Sequence, residues 1–115
     1  MTNLDRLKME IKGIDYSDDE LTVYLLENGL NSANIYDPQN KINYKNILKT
    51  ALAILESVAN NPQLMKTYKT DDITIMQFSE NLQNRIDALQ KKIRQISVDD
   101  TIENSGGTFT YLFTK

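Results

Sequence analysis

Near the start of the chain, apolar residues recur at the spacing of an amphipathic helix. They lie three and four residues apart, as expected for one helical face: Leu4, Leu7 and Ile11. Thr2 can cap this segment together with Asp5 three residues later, and Gly13 is a natural stop. The pattern predicts a short first helix.

A second apolar stripe follows the clearest helix start in the sequence. Ser17 precedes Glu20 by three residues, which is the spacing of a reciprocal capping box. The stripe comprises Leu21, Tyr24 and Leu25, with Leu26 as a candidate fourth member. Asn28-Gly29 is predicted to end this helix, and residues 31–40 are predicted to form a loop.

The third helix is predicted over residues 42–59, and its apolar positions cover more than one face. They form a stripe with alternating spacings of four and three, widened by three more residues: Tyr44, Leu48, Ala51, Leu55 and Val58, then Ile47, Leu52 and Ile54. A helix that is apolar around so much of its circumference is expected at the centre of a bundle. Asn60-Asn61-Pro62 is predicted to end it.

Between residues 65 and 76 the pattern changes to a short alternation. Ile73 and Ile75 alternate with Asp72 and Thr74, which predicts a brief strand or extended piece. In the alternative interpretation, Thr74 caps the following helix together with Gln77.

A last helix is predicted from residue 78 to residue 96. Its stripe is narrower than that of the third helix: Phe78, Leu82, Ile86, Leu89, Ile93 and Ile96. The opposite face is polar: Glu80, Asn84, Asp87, Lys91, Lys92 and Arg94. We therefore expect this helix to cover the bundle rather than to lie at its centre.

Residues 97–115 differ in character from the rest and are predicted to be a flexible C-terminal arm. After Gly106-Gly107, the aromatic residues Phe109, Tyr111 and Phe113 alternate with threonines, which is typical of a strand with one aromatic face. Such a face is costly to leave in water, since burial of each aromatic side chain contributes about 2 kcal/mol. The strand can fold onto its own domain or add to a neighbouring subunit or partner, and the sequence favours neither alternative.

These elements predict a mainly α fold, with a four-helix bundle-like domain over residues 1–96, a short extended segment before the last helix, and a C-terminal β-strand arm over residues 97–115. A length of 115 residues fits one domain with a thin core, for which oligomerisation would add stability. The N-terminus lacks the apolar run of a signal peptide, and no stretch approaches the length needed to cross a bilayer. We expect a soluble protein that is not secreted by the usual route and has no membrane partner.

Groups suited to catalysis are scarce. The chain has no histidine and no cysteine, which excludes the usual serine triad and thiolate metal sites. Carboxylates cluster at three places: Asp18-Asp19-Glu20, Asp71-Asp72 and Asp99-Asp100. None has the spacing of a calcium loop, and helix-start or loop solvation explains them better. Ser105-Gly106-Gly107 lacks the lysine of a phosphate loop and is better explained as a hinge. We predict no enzymatic activity, no metal and no cofactor.

Basic residues are grouped on two helices, although the net charge is −3. Lys41, Lys45 and Lys49 recur at every fourth position and could touch DNA phosphates. The second group comprises Lys91, Lys92 and Arg94. No aromatic residues are interleaved with either group, so base stacking is not indicated, and a solvated helix face is the favoured interpretation.

Two stretches resemble the bacteriophage head–tail connector (adaptor) family: LDRLKMEIKGIDYSDDELTVYLLENG and KTYKTDDITIMQFSENLQNRIDALQKKIRQI. The first stretch shares with the family a short Leu/Lys helix and an acidic start to the second helix. The later stretch shares with it a short Asp-Ile-Thr-Ile-like strand before a last helix with regularly spaced leucines. The resemblance covers residues 2–96, and the aromatic tail has no counterpart in it.

The resemblance implies a virion structural protein at the head–tail junction that is present in the host cytoplasm during assembly. Twelve identical subunits commonly form a ring beneath the portal protein, and DNA passes through the channel to the next neck or tail protein without sequence recognition. Ile73 and Ile75 would lie at a subunit boundary or reach the next ring. Two alternatives remain: another phage tail-completion or assembly protein, or a small helical regulator, which would need a more basic recognition helix.

Overall fold

The computed structural model describes residues 1–105, with side chains described as far as Ile96. In this part of the chain there are five α-helices: α1 (Asn3–Glu10), α2 (Asp18–Glu27), α3 (Lys41–Ala59), α4 (Pro62–Tyr68) and α5 (Ile75–Ser105). The prediction of a mainly helical fold is confirmed. Residues 1–105 contain no β-strand, and one antiparallel bridge joins Thr2 to Ile35.

The first two helices begin at the predicted caps. Thr2 Oγ1 accepts a hydrogen bond from the Asp5 amide at 3.2 Å, and the Thr2 amide donates to Asp5 Oδ2 at 3.1 Å. This backbone hydrogen bond is the main cause that lowers the pKa of Asp5. At α2, Ser17 Oγ accepts from the Glu20 amide at 3.2 Å and the Ser17 amide donates to Glu20 Oε1 at 3.4 Å. Both helix starts are therefore local consequences of the sequence.

Removal of one cap should lower stability by an amount that equilibrium unfolding can resolve. For Ser17→Ala we expect the free energy of unfolding to fall by about 1 kcal/mol, because the Glu20 amide at the start of α2 loses its acceptor. Urea unfolding followed by circular dichroism measures the change. Ser79→Ala on the exposed side of α5 is the matched control and should change stability by less than about 0.5 kcal/mol. Equal stabilities of the two variants would show that the cap does not contribute.

Helix α3 is at the centre of the bundle, as its wide apolar pattern predicts, and it contacts each of the other four helices. Its buried residues lie on several faces: Ile47, Leu48, Thr50, Ala51, Ile54, Leu55 and Val58. The polar member of this set is satisfied, since the Thr50 hydroxyl donates to the Asn46 carbonyl at 2.7 Å. In contrast, Leu26 of α2 is 61% exposed, so its inclusion in the second apolar stripe is wrong.

Helix α5 packs along α3 with the predicted stripe. Leu82, Ile86 and Leu89 are at most 5% exposed, and the predicted polar face is exposed to solvent. The helix continues past the predicted end at Ile96 and reaches Ser105. The predicted domain boundary between residues 96 and 97 therefore lies inside a continuous helix.

The predicted strand around Ile73 and Ile75 is wrong. Ile73 lies in a turn, where its amide donates to the Thr70 carbonyl at 3.4 Å. Ile75 is the first residue of α5. Thr74 Oγ1 accepts from the Gln77 amide at 3.0 Å, while the Thr74 amide donates to Gln77 Oε1 at 2.8 Å. The reciprocal cap provides two hydrogen bonds, whereas the alternation of two apolar residues is only a short pattern. The alternative interpretation, in which Thr74 caps the last helix together with Gln77, is confirmed.

The short helix α4 is absent from the predicted elements. Asn60-Asn61-Pro62 does end α3, but the same residues also begin α4. Asn61 Oδ1 accepts from the amides of Gln63 and Leu64 at 3.0 and 3.3 Å, and Pro62 occupies the first helical position. Residues 1–105 therefore contain one helix more than the four that the sequence predicts.

The turn between α1 and α2 is held to the bundle by Tyr16. Gly13 adopts a φ of +94°, which allows the chain to reverse, and the Tyr16 ring then lies 6.1 Å from that of Tyr24 and 6.4 Å from that of Tyr68. Ser57 Oγ donates to the Ile54 carbonyl at 2.6 Å, so its contact with Tyr16 has the tyrosine hydroxyl as donor. Burial raises the pKa of Tyr16.

A raised tyrosine pKa makes stability depend on alkaline pH. The folded state favours the neutral phenol, so this contribution is complete below the ordinary pKa of 10.0 and is lost as the pH rises through the folded-state value. We expect Tyr16→Phe to lower stability at pH 8, and its deficit relative to the wild type to shrink above pH 10. Urea midpoints at both pH values measure this. Ser57→Ala keeps the phenol and should keep the alkaline loss; a pH-independent deficit for Tyr16→Phe would contradict the assignment.

Candidate interaction surface

The predicted interface residues Ile73 and Ile75 are half-buried, at the end of the bundle where α5 begins. The Ile73 carbonyl accepts a hydrogen bond from Lys69 Nζ at 3.1 Å, which closes the turn against its own chain. The other predicted interface residues, Phe109, Tyr111 and Phe113, lie outside the described residues. Their role as partner contacts stays a prediction.

The predicted DNA-contacting lysines lie at the opposite end of the bundle. Lys41 and Lys49 are exposed on α3, Lys45 is half-buried, and Lys41 and Lys45 each have an interaction within the chain. This part of α3 faces the later turns of α5, because Tyr44 and Ile96 line one cavity. From Ile75 to Ile96 the helix rises about 32 Å at 1.5 Å per residue. The structure therefore does not bring the isoleucine pair and the lysines into one site.

A third surface, which the sequence reasoning missed, lies beside the loop before α3. It is an open cleft of about 280 Å³, lined by the exposed residues Ile35 and Ile42 and by several asparagines. We call it the asparagine cleft and define it by six of its lining residues: Asn31, Asn34, Ile35, Ile42, Asn43 and Asn46.

The buried residue Asn3, which is 3% exposed, holds the asparagine cleft together through hydrogen bonds. Asn3 Nδ2 donates to the Asn31 carbonyl at 2.9 Å, and Asn3 Oδ1 accepts from Asn43 Nδ2 at 2.9 Å. Asn43 Oδ1 in turn accepts from the Asp37 amide at 3.0 Å. These bonds join α1, the loop and α3 through side-chain amides. The loop is consequently a fixed part of the fold.

The backbone of the N-terminus binds the same loop. The Asn3 amide donates to the Asn34 carbonyl at 2.9 Å, and the Tyr36 amide donates to the Met1 carbonyl at 2.9 Å, which forms the bridge between Thr2 and Ile35. Arg6 adds a further contact, since its guanidinium carbon lies 5.5 Å from the centre of the Tyr36 ring and 5.9 Å from that of Tyr44. Backbone hydrogen bonds at Asn34 and Tyr36 thus hold the loop on both sides of Ile35.

One signal in the sequence could have indicated this cleft. Between residues 28 and 46 an amide or carboxylate side chain recurs at every third position: Asn28, Asn31, Asn34, Asp37, Asn40, Asn43 and Asn46. Several of them make turn or cap bonds, such as Asn31 Oδ1 with the Ala33 amide at 2.9 Å and Asn40 Oδ1 with the Ile42 amide at 3.0 Å. Their partnership with Asn3 cannot be derived from spacing, because the partners are 28 and 40 residues apart.

The carboxylate clusters have local structural roles where their side chains are described. Asp18 Oδ1 forms an ion pair with Lys8 Nζ at 2.9 Å. Glu20 forms the reciprocal cap of α2 together with Ser17. The Thr70 hydroxyl donates to Asp72 at 2.6 Å and is the main cause that lowers the pKa of Asp72. Among the described side chains, no group of three or more acidic, histidine or cysteine residues is arranged to hold a metal ion. Asp99 and Asp100 lie on α5, beyond the described side chains.

No helix in the described part of the chain combines the length and apolar character that a bilayer crossing requires. Comparisons of the chain with protein-family models, curated proteins and solved structures give no match.

Proposed function

We propose that this chain is a non-enzymatic assembly protein, and specifically a head–tail connector subunit of a tailed bacteriophage. Copies would form a ring, twelve by the resemblance described above, between the portal of the DNA-filled capsid and the next neck or tail protein. The observation that carries the proposal is the order and capping of the helices over residues 2–96.

The order of the helices supports the proposal. A short capped α1 precedes α2 with its acidic start, a long α3 follows, and the last helix carries regularly spaced buried residues. The chain departs from the resemblance where the family has a short strand, because here residues 70–74 form a turn and a cap. A role for Ile73 and Ile75 at a subunit boundary therefore rests on the resemblance alone.

Exposed apolar side chains support a protein that works by association. Ile35 of the loop is 72% exposed, and Ile42 of α3 is 54% exposed. Single exposed apolar residues are common on proteins, but Ile35 and Ile42 line one cleft. Burial of such residues in an assembly would add to the stability of a thin core.

DNA in this proposal passes through the ring without sequence recognition. A net charge of −3 suits a channel protein, because a strongly basic lumen would retain the DNA. Lys41, Lys45 and Lys49 remain the proposed channel contacts, with phosphate as their partner. Their number allows at most a shallow dependence of DNA binding on salt.

Deletion of the gene from the phage or prophage that carries it tests the proposal. We expect DNA-filled heads and separate tails to accumulate in electron micrographs, and the infectious titre to fall, because the junction between them is missing. The intact chain supplied in trans should restore joined particles. Normal tailed particles without the protein would overturn the proposal.

A narrower test addresses the C-terminal segment. Complementation with a chain that ends at Ser105 should leave heads and tails unjoined, since the proposal assigns the aromatic segment to a contact with a neighbour. A chain with Leu26→Ala serves as the control and should complement fully. If the shortened chain joins heads to tails normally, strand addition by the aromatic segment is wrong.

A further inference from the structure

We propose that the open backbone edge at Ile35 receives the C-terminal segment of a second copy of the chain, residues 108–114, as an added β-strand. This inference rests on the proposed function, since it names the contact through which assembly subunits join. It assigns a binding role to the asparagine cleft and a partner to the aromatic segment.

The geometry of the bridge leaves one edge of Ile35 open. Because the bridge uses the Asn34 carbonyl and the Tyr36 amide, the amide and carbonyl of Ile35 point away from the N-terminal residues. Neither of these two groups has a hydrogen-bond partner among the described residues. The Ile35 side chain is 72% exposed, so water and a second chain can both reach this edge. An open edge of this kind is a template for strand addition.

The surroundings of the edge suit an extended peptide with an apolar face. Ile35 and Ile42, which is 54% exposed, provide apolar surface on the rim of the cleft. Asn34 and Asn46 beside them offer side-chain amides, which can both donate to and accept from a peptide backbone. The edge is held in place by the bonds of Asn3, so little ordering is needed on this side when a strand binds.

The chain itself contains a segment of the required chemistry. Residues 108–114 read TFTYLFT, with aromatic residues at alternate positions, so one face of a strand would be aromatic and could cover the exposed isoleucines. Threonine and aromatic residues are also those that favour strands. Gly106-Gly107 separates this segment from α5 and permits a change of direction.

The path of α5 favours a second copy as the source. Ile96 and Tyr44 line one cavity, and the helix then continues to Ser105, which extends it by about 14 Å beyond Ile96. On α3, Ile42 and Asn46 lie on the side of the helix opposite to Tyr44, given a rotation of 100° per residue. The contact with α5 is therefore on the Tyr44 side of α3, whereas the cleft lies on the other side, which the segment of a neighbouring copy can approach directly.

Cysteine cross-linking tests the contact, because the native chain has no cysteine to interfere. Full-length Ile35→Cys is mixed with each of three full-length partners, Phe109→Cys, Tyr111→Cys and Phe113→Cys, and oxidised. We expect at least one mixed disulfide to form faster than in mixtures with the control Leu26→Cys, since opposed residues of paired strands lie close enough for a disulfide. No excess over this control would overturn the proposal.

The double variants that carry both cysteines on one chain distinguish the source. Dilution to a concentration at which copies rarely meet should abolish the cross-link if the segment belongs to a second copy. A cross-link that persists within single chains would overturn the proposal and assign the cleft to the chain's own tail.

Self-association of the full-length protein provides a separate measurement. Ile35→Asp places a charge against the proposed aromatic face and should weaken association about tenfold or more, whereas Leu26→Asp should leave it unchanged. If Ile35→Asp associates like the wild type, the inference fails while the proposed function stands. If the wild type itself never associates, alone or with a portal protein, the proposed function fails as well.

Discussion

Replacement of Leu55 by alanine should lower the free energy of unfolding by about 3–4 kcal/mol. Leu55 has no exposed surface and lies on α3, the helix that contacts all the others. Its truncation removes apolar contacts and leaves a cavity that the surrounding helices can fill only in part. Small domains have total stabilities of about 5–15 kcal/mol, so this variant should lose much of its margin.

Urea unfolding followed by circular dichroism at 222 nm measures this change, with Leu26→Ala as the matched control. The control removes the same atoms from a side chain that is 61% exposed, and its expected change is below about 0.5 kcal/mol. Similar losses in the two variants would mean that α3 is not the centre of the core.

Replacement of Asn3 by aspartate should cost about 3 kcal/mol at pH 7. The buried amide of Asn3 donates to the Asn31 carbonyl, and a carboxylate oxygen at that position cannot donate. The substitution would place a carboxylate oxygen against the Asn31 carbonyl oxygen, so that two acceptors meet at a buried site without water. The bond from Asn43 would remain, which keeps the effect local to the contact with the loop.

The loss caused by Asn3→Asp should depend on pH. A protonated carboxyl can donate to the Asn31 carbonyl, so the folded state should raise the pKa of the new group above its unfolded value of about 3.9. The deficit is then smallest below that value and grows as the pH rises through the folded-state pKa. Unfolding at pH 4 and pH 7 measures it, with the exposed Asn34→Asp as control. A pH-independent deficit would contradict the assigned hydrogen bonds.

The parts of the fold that sequence predicts well are those set by neighbouring residues. The reciprocal caps at Thr2 and Ser17 need only residues three positions apart, and both form as predicted. The central position of α3 follows from the width of its apolar pattern, since no single-sided packing could bury so many faces. The mainly helical class needs no more than these signals.

The errors arise where two local signals compete or where a signal has two meanings. At Ile73 and Ile75 a short alternation competes with the cap at Thr74, and the cap has hydrogen bonds to support it. Pro62 ends α3 and also begins α4, because a proline suits the first turn of a helix. The polar residues after Ile96 favour a helix end, yet α5 continues to Ser105.

The asparagine cleft could not be predicted because its bonds join distant parts of the chain. Asn3 is an unremarkable polar residue in the sequence, and its burial is caused by the return of the loop at Asn31 and by the arrival of Asn43. The position of Ile35 likewise depends on its pairing with Thr2, which is distant in the sequence. Tertiary contacts of this kind decide which surface is open to a partner.

Native mass spectrometry of the full-length protein, mixed with a portal protein from the same genome, tests the central proposal most directly. The proposal predicts a discrete complex in which many copies of this chain, twelve by the resemblance, join one portal ring. Masses that correspond to free portal and single chains at every concentration would contradict it.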